Sequence, residues 1–280
     1  MSQPNLESFH DLKRIAQRMR VNIIKMIGAA GSGHPGGSLS EVELLTTLYF
    51  RVMRHDPNNP NWPDRDRFIL SKGHGCPALY AVYAEAGYID PALLNTLRKL
   101  GSPLQGHPDK RMLPVLEAST GSLGQGLSIG IGTALAAKLD QQDCHTFVMV
   151  GDGEIEEGQN WEAAMFAGFH KLANLTCIVD NNRQQLDGFV KDILDPAPVA
   201  EKFRAFGWQA LEVDGHDFAQ VIPALEMARA GKEGRPTAIV AHTIKGKGIS
   251  FMENNPEWHG IAPKPEQVSA ALKELEASAP

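Results

Sequence analysis

Residues 146–153 read TFVMVGDG, and residues 175–182 read LTCIVDNN. Each is a short apolar run that stops on small polar residues. Apolar runs without polar alternation belong to strands covered on both faces. Between them, Trp161, Ala164, Met165 and Leu172 mark a helix. One strand–helix–strand unit therefore separates the two polar ends. The pattern continues outward, with strands expected at 67–70, 208–213 and 237–241 and a helix at 217–230. Strands alternating with helices imply an α/β fold, a parallel twisted sheet with helices on both faces.

Other segments are expected around this sheet. Leu6, Phe9, Leu12, Ile15, Met19, Ile23 and Ile27 recur at helical spacing, giving a helix over 6–27. The glycine-rich GAAGSGHPGG, 28–37, favours neither helix nor strand. A helix at 40–52 would be capped by Ser40, with Glu43 completing a capping box. Ser122 would cap another, ending near Leu139. The long irregular stretch 101–121 suits a functional loop. The whole of 1–280 reads as a single domain with a short helical tail at 265–276.

Composition excludes several classes. Hydrophobic residues make up 42% of the 280, enough for a buried core. The net charge of −6 argues against a general nucleic-acid binder. The three cysteines are far apart and form no CxxC pair, so neither a zinc site nor a disulfide framework is expected. Free thiols and an N-terminus without a signal-peptide apolar run lead to the expectation of a cytoplasmic protein.

Ligands of open parallel sheets sit beyond the carboxyl ends of the strands. Asp152 and Asn182 stand at two such ends, one carboxylate and one amide oxygen. Hard oxygen donors suit Mg²⁺ or Ca²⁺, and Mg²⁺ fills its shell with water and phosphate oxygens. A phosphate-bearing ligand is therefore expected, with Gly151 and Gly153 allowing its close approach. GDG alone would be an ordinary strand-terminal turn; Asn181-Asn182 one unit later turns it into a site. His34, His74, His107 and His259 lie among glycine or proline in expected loops, where a core role is a poor explanation. His10, His55, His145 and His170 read as surface or packing residues. His216, in VDGHD, ends a sheet edge and has no settled role. Lys245 and Lys247 read as exposed lysines, with attraction of a phosphorylated substrate as the alternative.

GDGE at 151–154 followed by DNN at 180–182 resembles the thiamine-diphosphate binding motif. SGHPGGSLS (32–40), LSKGHGCPALY (70–80), GHPD (106–109), STGSLGQGLS (119–128) and IKGKGISFMENNPEWHG (244–260) resemble transketolase segments in the same order. The resemblance runs from about residue 10 to 262 and covers the first of the three regions of a whole transketolase. It implies the N-terminal, diphosphate-binding subunit of a split transketolase. Such a subunit moves a two-carbon ketol unit from a ketose phosphate to an aldose phosphate.

The resemblance also implies roles. Asp152, Asn182 and the backbone carbonyl of Gln184 would hold Mg²⁺ (or Ca²⁺). His74, Gly121, Ser122, Leu123, Gly153, Glu154, Asn182 and His259 would bind the cofactor. His34, His107 and His259 would face the substrate carbonyl and hydroxyls, and protonated imidazoles would add charge assistance at the diphosphate. Glu157 and Glu162 would lie at the subunit boundary, although Glu162 also reads as a solvated helix charge. The chain departs from the family at Ser122, where proline is common, which bears on the stiffness of that loop, and at Gly37, where larger residues are common, which bears on the substrate mouth. The glutamate that activates the cofactor belongs to the absent pyrimidine-binding region, so a C-terminal partner subunit in an α2β2 heterotetramer is implied. Rival readings are a deoxyxylulose-phosphate synthase-like enzyme, a pyruvate dehydrogenase component, a specialised transketolase for apulose 4-phosphate or a sulfo-fructose, and a non-catalytic cofactor-binding subunit.

Overall fold

The apolar runs become β1 (Arg67–Leu70), β2 (Thr146–Gly151), β3 (Leu175–Asn181), β4 (Gln209–Asp214) and β5 (Thr237–His242) in a computed structural model. It describes residues 8–231 and 233–280. The strands pair in the order β1-β2-β3-β5-β4, and every pair is parallel. Parallel neighbours need long crossovers, which helices supply. The helices are α1 (Phe9–Ala30), α2 (Pro35–Ser40), α3 (Val42–Thr47), α4 (Cys76–Glu85), α5 (Gln125–Leu139) and α6 (Gly158–Phe169). After β3 come α7 (Val190–Ile193), α8 (Val199–Ala205), α9 (Phe218–Ala230) and α10 (Pro265–Ala277).

Successive side chains along β2 point to opposite faces and divide the core in two. Phe147 and Met149 join the cluster that holds Ile23 of α1, Leu45 of α3, Leu79 of α4 and Leu225 of α9. Val148 and Val150 join the cluster that holds Leu127 of α5, Ala164 of α6 and Phe203 of α8. Both faces are thus covered, which is why the strands read as unbroken apolar runs. Among the described residues, no helix is long and apolar enough to cross a membrane.

The glycine-rich stretch departs from expectation. Leu6 lies outside the described residues; α1 begins at Phe9 and runs through Gly28 to Ala30. Gly28 serves packing instead of ending the helix, because a Cβ there would lie 2.5 Å from Val268 Cγ2 of α10. The stop comes at Gly31, in the left-handed conformation, whose N–H bonds Ile27 O and Gly28 O. Pro35, Gly36 and Gly37 then open α2, all of whose residues are buried. Burial here overrides the low helix propensity of glycine.

The expected helix over 40–52 is broken into the end of α2, α3 and a π-helical turn at Leu48–Val52. Ser40 caps nothing; its hydroxyl donates to Gly37 O (3.0 Å) and to Asp180 Oδ2 (2.6 Å). Glu43 forms no capping box, because Arg20 and His216 hold its carboxylate. Nor does Ser122 cap a helix: it is exposed, and Gly124 with φ 85° stands at the N-cap of α5.

Two glycines give opposed expectations. A Cβ at Gly168 would lie 1.8 Å from the Phe206 carbonyl oxygen, whereas one at Gly132 meets nothing within 4 Å. Gly168→Ala is expected to lower the unfolding free energy by about 2–3 kcal/mol in urea titrations. Gly132→Ala, in the exposed middle of α5, is expected to raise it by about 0.5–1 kcal/mol.

Candidate active site

Register places the two polar ends side by side. Gly151 of β2 pairs with Asp180 of β3, so Asp152 and Asn182 leave adjacent strands at one sheet edge. The Asp152 carboxylate accepts the Gly153 N–H (2.9 Å) and the Arg183 N–H. Asn182 donates through Nδ2 to Asp180 Oδ2 (3.1 Å), while its Oδ1 accepts the Gln184 N–H (3.1 Å). The amide orientation is therefore set, with its oxygen turned away from Asp180. Burial, then the neighbouring Asp180 charge, pushes the Asp152 carboxyl up to about 7. Both side-chain polar atoms of Gln184 are buried without a partner. The Asp152 carboxylate, the Asn182 amide oxygen and the unpartnered Gln184 amide oxygen are hard donors that fit a divalent cation.

These groups line a cavity of about 400 Å³ with His34, His74, His107, His259, Lys72 and Lys245. Ring centroids are 5.1 Å apart for His74–His259, 5.4 Å for His34–His74, 5.6 Å for His34–His259 and 6.1 Å for His34–His107. Glycines let the loops converge: a Cβ on Gly121 would lie 3.2 Å from His107 and one on Gly153 would lie 2.6 Å from Gln185 Cβ. A larger cavity of about 550 Å³ lies beside the ends of β3, β5 and β4. It shares Asn182 but lacks the glycine cradle and the four clustered histidines, so the chemistry belongs to the smaller one.

Two lysines missed as site residues organise this cavity. Lys245, expected on the surface, is only 2% exposed. Its Nζ lies 2.6 Å from His259 Nδ1, which leaves the proton of a neutral ring on Nε2. Burial, and then Lys72, pulls the Lys245 ammonium down to about 8. Lys247 is partly exposed and pairs with Glu253. Lys72 donates to Gly37 O (2.8 Å) and Asp180 and lies 2.9 Å from Glu41 Oε2. Burial opposes its charge, but the paired Asp180 carboxylate outweighs burial and keeps it protonated. Burial raises the Glu41 carboxyl to about 8 in spite of Lys72, so Asp180 is the anion of the group. Lys72 stood in SKGHG and Asp180 in DNN, but neither was given a role, because their pairing joins segments far apart in sequence.

Several expected roles change. Glu154 lines the cavity, with its buried carboxylate accepting from Ser71 Oγ, Gly124 N–H (2.9 Å) and Gly151 N–H (3.1 Å). It braces the two loops that carry Gly121 and Asp152. Gly121 and Leu123 line the cavity, whereas Ser122 is exposed beside it. Gly37 is buried below His74 and is not at the mouth. Glu157 is exposed on the cavity rim. Glu162 is exposed on α6 near exposed Met165, Phe166 and Phe169.

Charge assistance from protonated imidazoles is not what this cavity favours. Burial, then Arg98, pulls His34 down to about 4; burial, then Lys245, pulls His259 down to about 3. His74 and His107 are lowered for the same first reason. Near neutrality these rings are neutral N–H donors and lone-pair acceptors. Because their folded pKa values lie below the unfolded value, the unfolded chain binds more protons as pH falls from about 6.5 toward 4. The cofactor-free chain should lose stability over that window, and His34→Gln should flatten the loss in urea titrations at stepped pH. An identical pH slope would exclude His34 from this linkage.

Residues 12–278 match the family described as "Transketolase, thiamine diphosphate binding domain". The chain is 46% identical to the 6-deoxy-6-sulfo-D-fructose transketolase subunit of Clostridium sp. (strain MSTE9), over 95% of this chain and 96% of that one. It is 44% identical to an apulose-4-phosphate transketolase subunit of Actinobacillus succinogenes, over 96% and 97%. Among solved structures, the transketolase of Campylobacter jejuni superposes with a TM-score of 0.89 at 33% identity. That match covers 96% of this chain but 43% of that one, so the chain spans under half of the solved transketolase it matches. With the parallel sheet, the strand-end donors and the histidine-lined cavity, these matches show that the chain belongs to the transketolase family, whose thiamine diphosphate binding domain it carries.

Proposed function

We propose that this chain is the N-terminal subunit of a split transketolase, carrying a two-carbon ketol unit from a ketose phosphate to an aldose phosphate. The observation that carries the reading is the convergence of Asp152, Asn182, Lys245 and four histidines on one cavity at the carboxyl edge of β2 and β3. Asp152, Asn182 and Gln184 would hold Mg²⁺ (or Ca²⁺) against the diphosphate of thiamine diphosphate. When bound, that cofactor supplies the electron sink for carbon–carbon cleavage.

The chain's own residues bind and orient. The Lys245 ammonium, held beside His259, offsets diphosphate charge. His74 and His259, as neutral rings, offer N–H groups to phosphate oxygens. His34 and the exposed His107 donate to or accept from substrate oxygens and pass protons at their ring nitrogens. Gly121 and Leu123 bring backbone to the cofactor rings. Glu157, on the rim, and Glu162, on an apolar helix face with Met165, Phe166 and Phe169, suit a boundary with a partner chain. That partner would be the pyrimidine-binding C-terminal subunit, in an α2β2 heterotetramer. Three buried free thiols are compatible with work in the cytoplasm. The sulfonated hexose and apulose phosphate named for its relatives favour a specialised sugar donor over the common pentose phosphates.

Two measurements test this. In calorimetry, Asp152→Ala is expected to weaken Mg²⁺-dependent thiamine diphosphate binding at least ~100-fold with its far-ultraviolet circular dichroism unchanged. Unchanged affinity removes Asp152 from the metal site. In ketol-transfer assays, the purified chain with cofactor and Mg²⁺ is expected to be inactive until the C-terminal subunit is added. Full turnover by the chain alone would defeat the split-subunit reading.

A further inference from the structure

His216, Glu43 and Arg20 come from three separate elements and meet beside the loop that carries Lys245. Glu43 of α3 accepts from Arg20 Nη2 of α1 (2.6 Å) and lies 3.0 Å from His216 Nδ1, in the turn between β4 and α9. His216 Nε2 accepts the N–H of Ile244 (2.8 Å), while Arg20 Nε donates to the carbonyl of Lys247 (3.1 Å). One buried carboxylate thus links two side chains that grip the backbone on either side of Lys245. Because Nε2 accepts a backbone N–H, the neutral ring carries its proton on Nδ1 and donates it to Glu43. Burial works against the Glu43 charge, but Arg20 and then His216 hold its carboxyl down at about 2.

We infer that the Arg20–Glu43–His216 group is a positioning clamp that aims Lys245 into the diphosphate cavity. The three residues stand outside the cavity lining; they act through residues 244 and 247. An alternative function for the group, ion pairing for stability alone, would not require the ring to accept from Ile244. The loop has other ties, Gly246 N–H to Gly36 O and Asn254 N–H to Lys245 O (both 3.0 Å), so losing the clamp should loosen residues 244–248 without unfolding the chain. A long flexible ammonium gains most from such support, since its four-carbon stem otherwise samples many rotamers.

The inference rests on the proposed role of Lys245 at the diphosphate, so its test has two independent arms. The first is amide hydrogen exchange of residues 244–248 in the cofactor-free full-length chain. His216→Asn retains a donor near Glu43 but does not reach Ile244, and exchange is expected to accelerate about tenfold or more. His216→Gln places an acceptor near the Nε2 position and is expected to restore much of the protection. Unchanged exchange in His216→Asn, or equal acceleration in both variants, overturns the clamp. The second arm is calorimetric binding of thiamine diphosphate with Mg²⁺. His216→Asn is expected to bind roughly tenfold more weakly, the scale on which supporting hydrogen bonds act on a site, with His216→Gln in between. Native affinity in His216→Asn with accelerated exchange overturns the link to Lys245. Lys245→Met is the reference: if it leaves affinity intact, the reading of the cavity fails while the exchange result still judges the clamp.

Discussion

Parallel pairing of β2 with β3 is the constraint on which the rest depends. Strands buried on both faces have one register that places their apolar side chains correctly, and that register sets where each chain leaves the sheet. Gly151 opposite Asp180 makes the next residues neighbours. Asp152 and Asn182 can then meet one ligand without any loop having to reach. Everything else in the site, from the histidine loops to the two lysines, is arranged around this edge.

The edge buries more ionisable groups than a sheet end ordinarily tolerates. Asp152, Asp180, Glu41, Lys72 and Lys245 are all nearly inaccessible. Buried ion pairs give little net stability, because desolvation consumes most of their attraction. Their value here is geometric. Lys72 ties Asp180 to the Gly37 carbonyl, and Asp180 in turn sets the amide of Asn182. Glu154 plays the same part on the other side, drawing the Gly124 and Gly151 N–H groups toward one carboxylate. The double-layered apolar core offsets the cost of this arrangement, as is usual where a site stores unfavourable electrostatics.

The histidines illustrate how tertiary context changes chemistry without changing residues. Four imidazoles in loops suggest cations and acid–base work near neutral pH. Burial first, and then Arg98, Lys72 and Lys245 around them, disfavours added protons and keeps them neutral in the cofactor-free chain. Neutral rings recognise oxygen atoms by direction more than by charge. The positive charge of the cavity is left to the lysines, which the surrounding backbone holds in place.

Local sequence was enough for the sheet, its parallel sense, the strand-end pair Asp152 and Asn182, and the histidine loops, because each rests on short-range signals: unbroken apolar runs, and polar or glycine residues that end them. Where glycine at Gly28 and Gly36 marked a break, reading failed, since both serve close packing that only distant Val268 and Trp258 explain. Ser40, Glu43 and Ser122 read as helix caps, yet the partners that claim Ser40 and Glu43, Asp180 and His216, lie far along the chain. Lys245 looked like an ordinary lysine because exposure is decided by what packs above a residue, not by its neighbours in sequence. Which groups are buried, which proton each ring carries and which carboxylate stays charged were all settled by long-range packing, through desolvation and the few hydrogen bonds that packing permits.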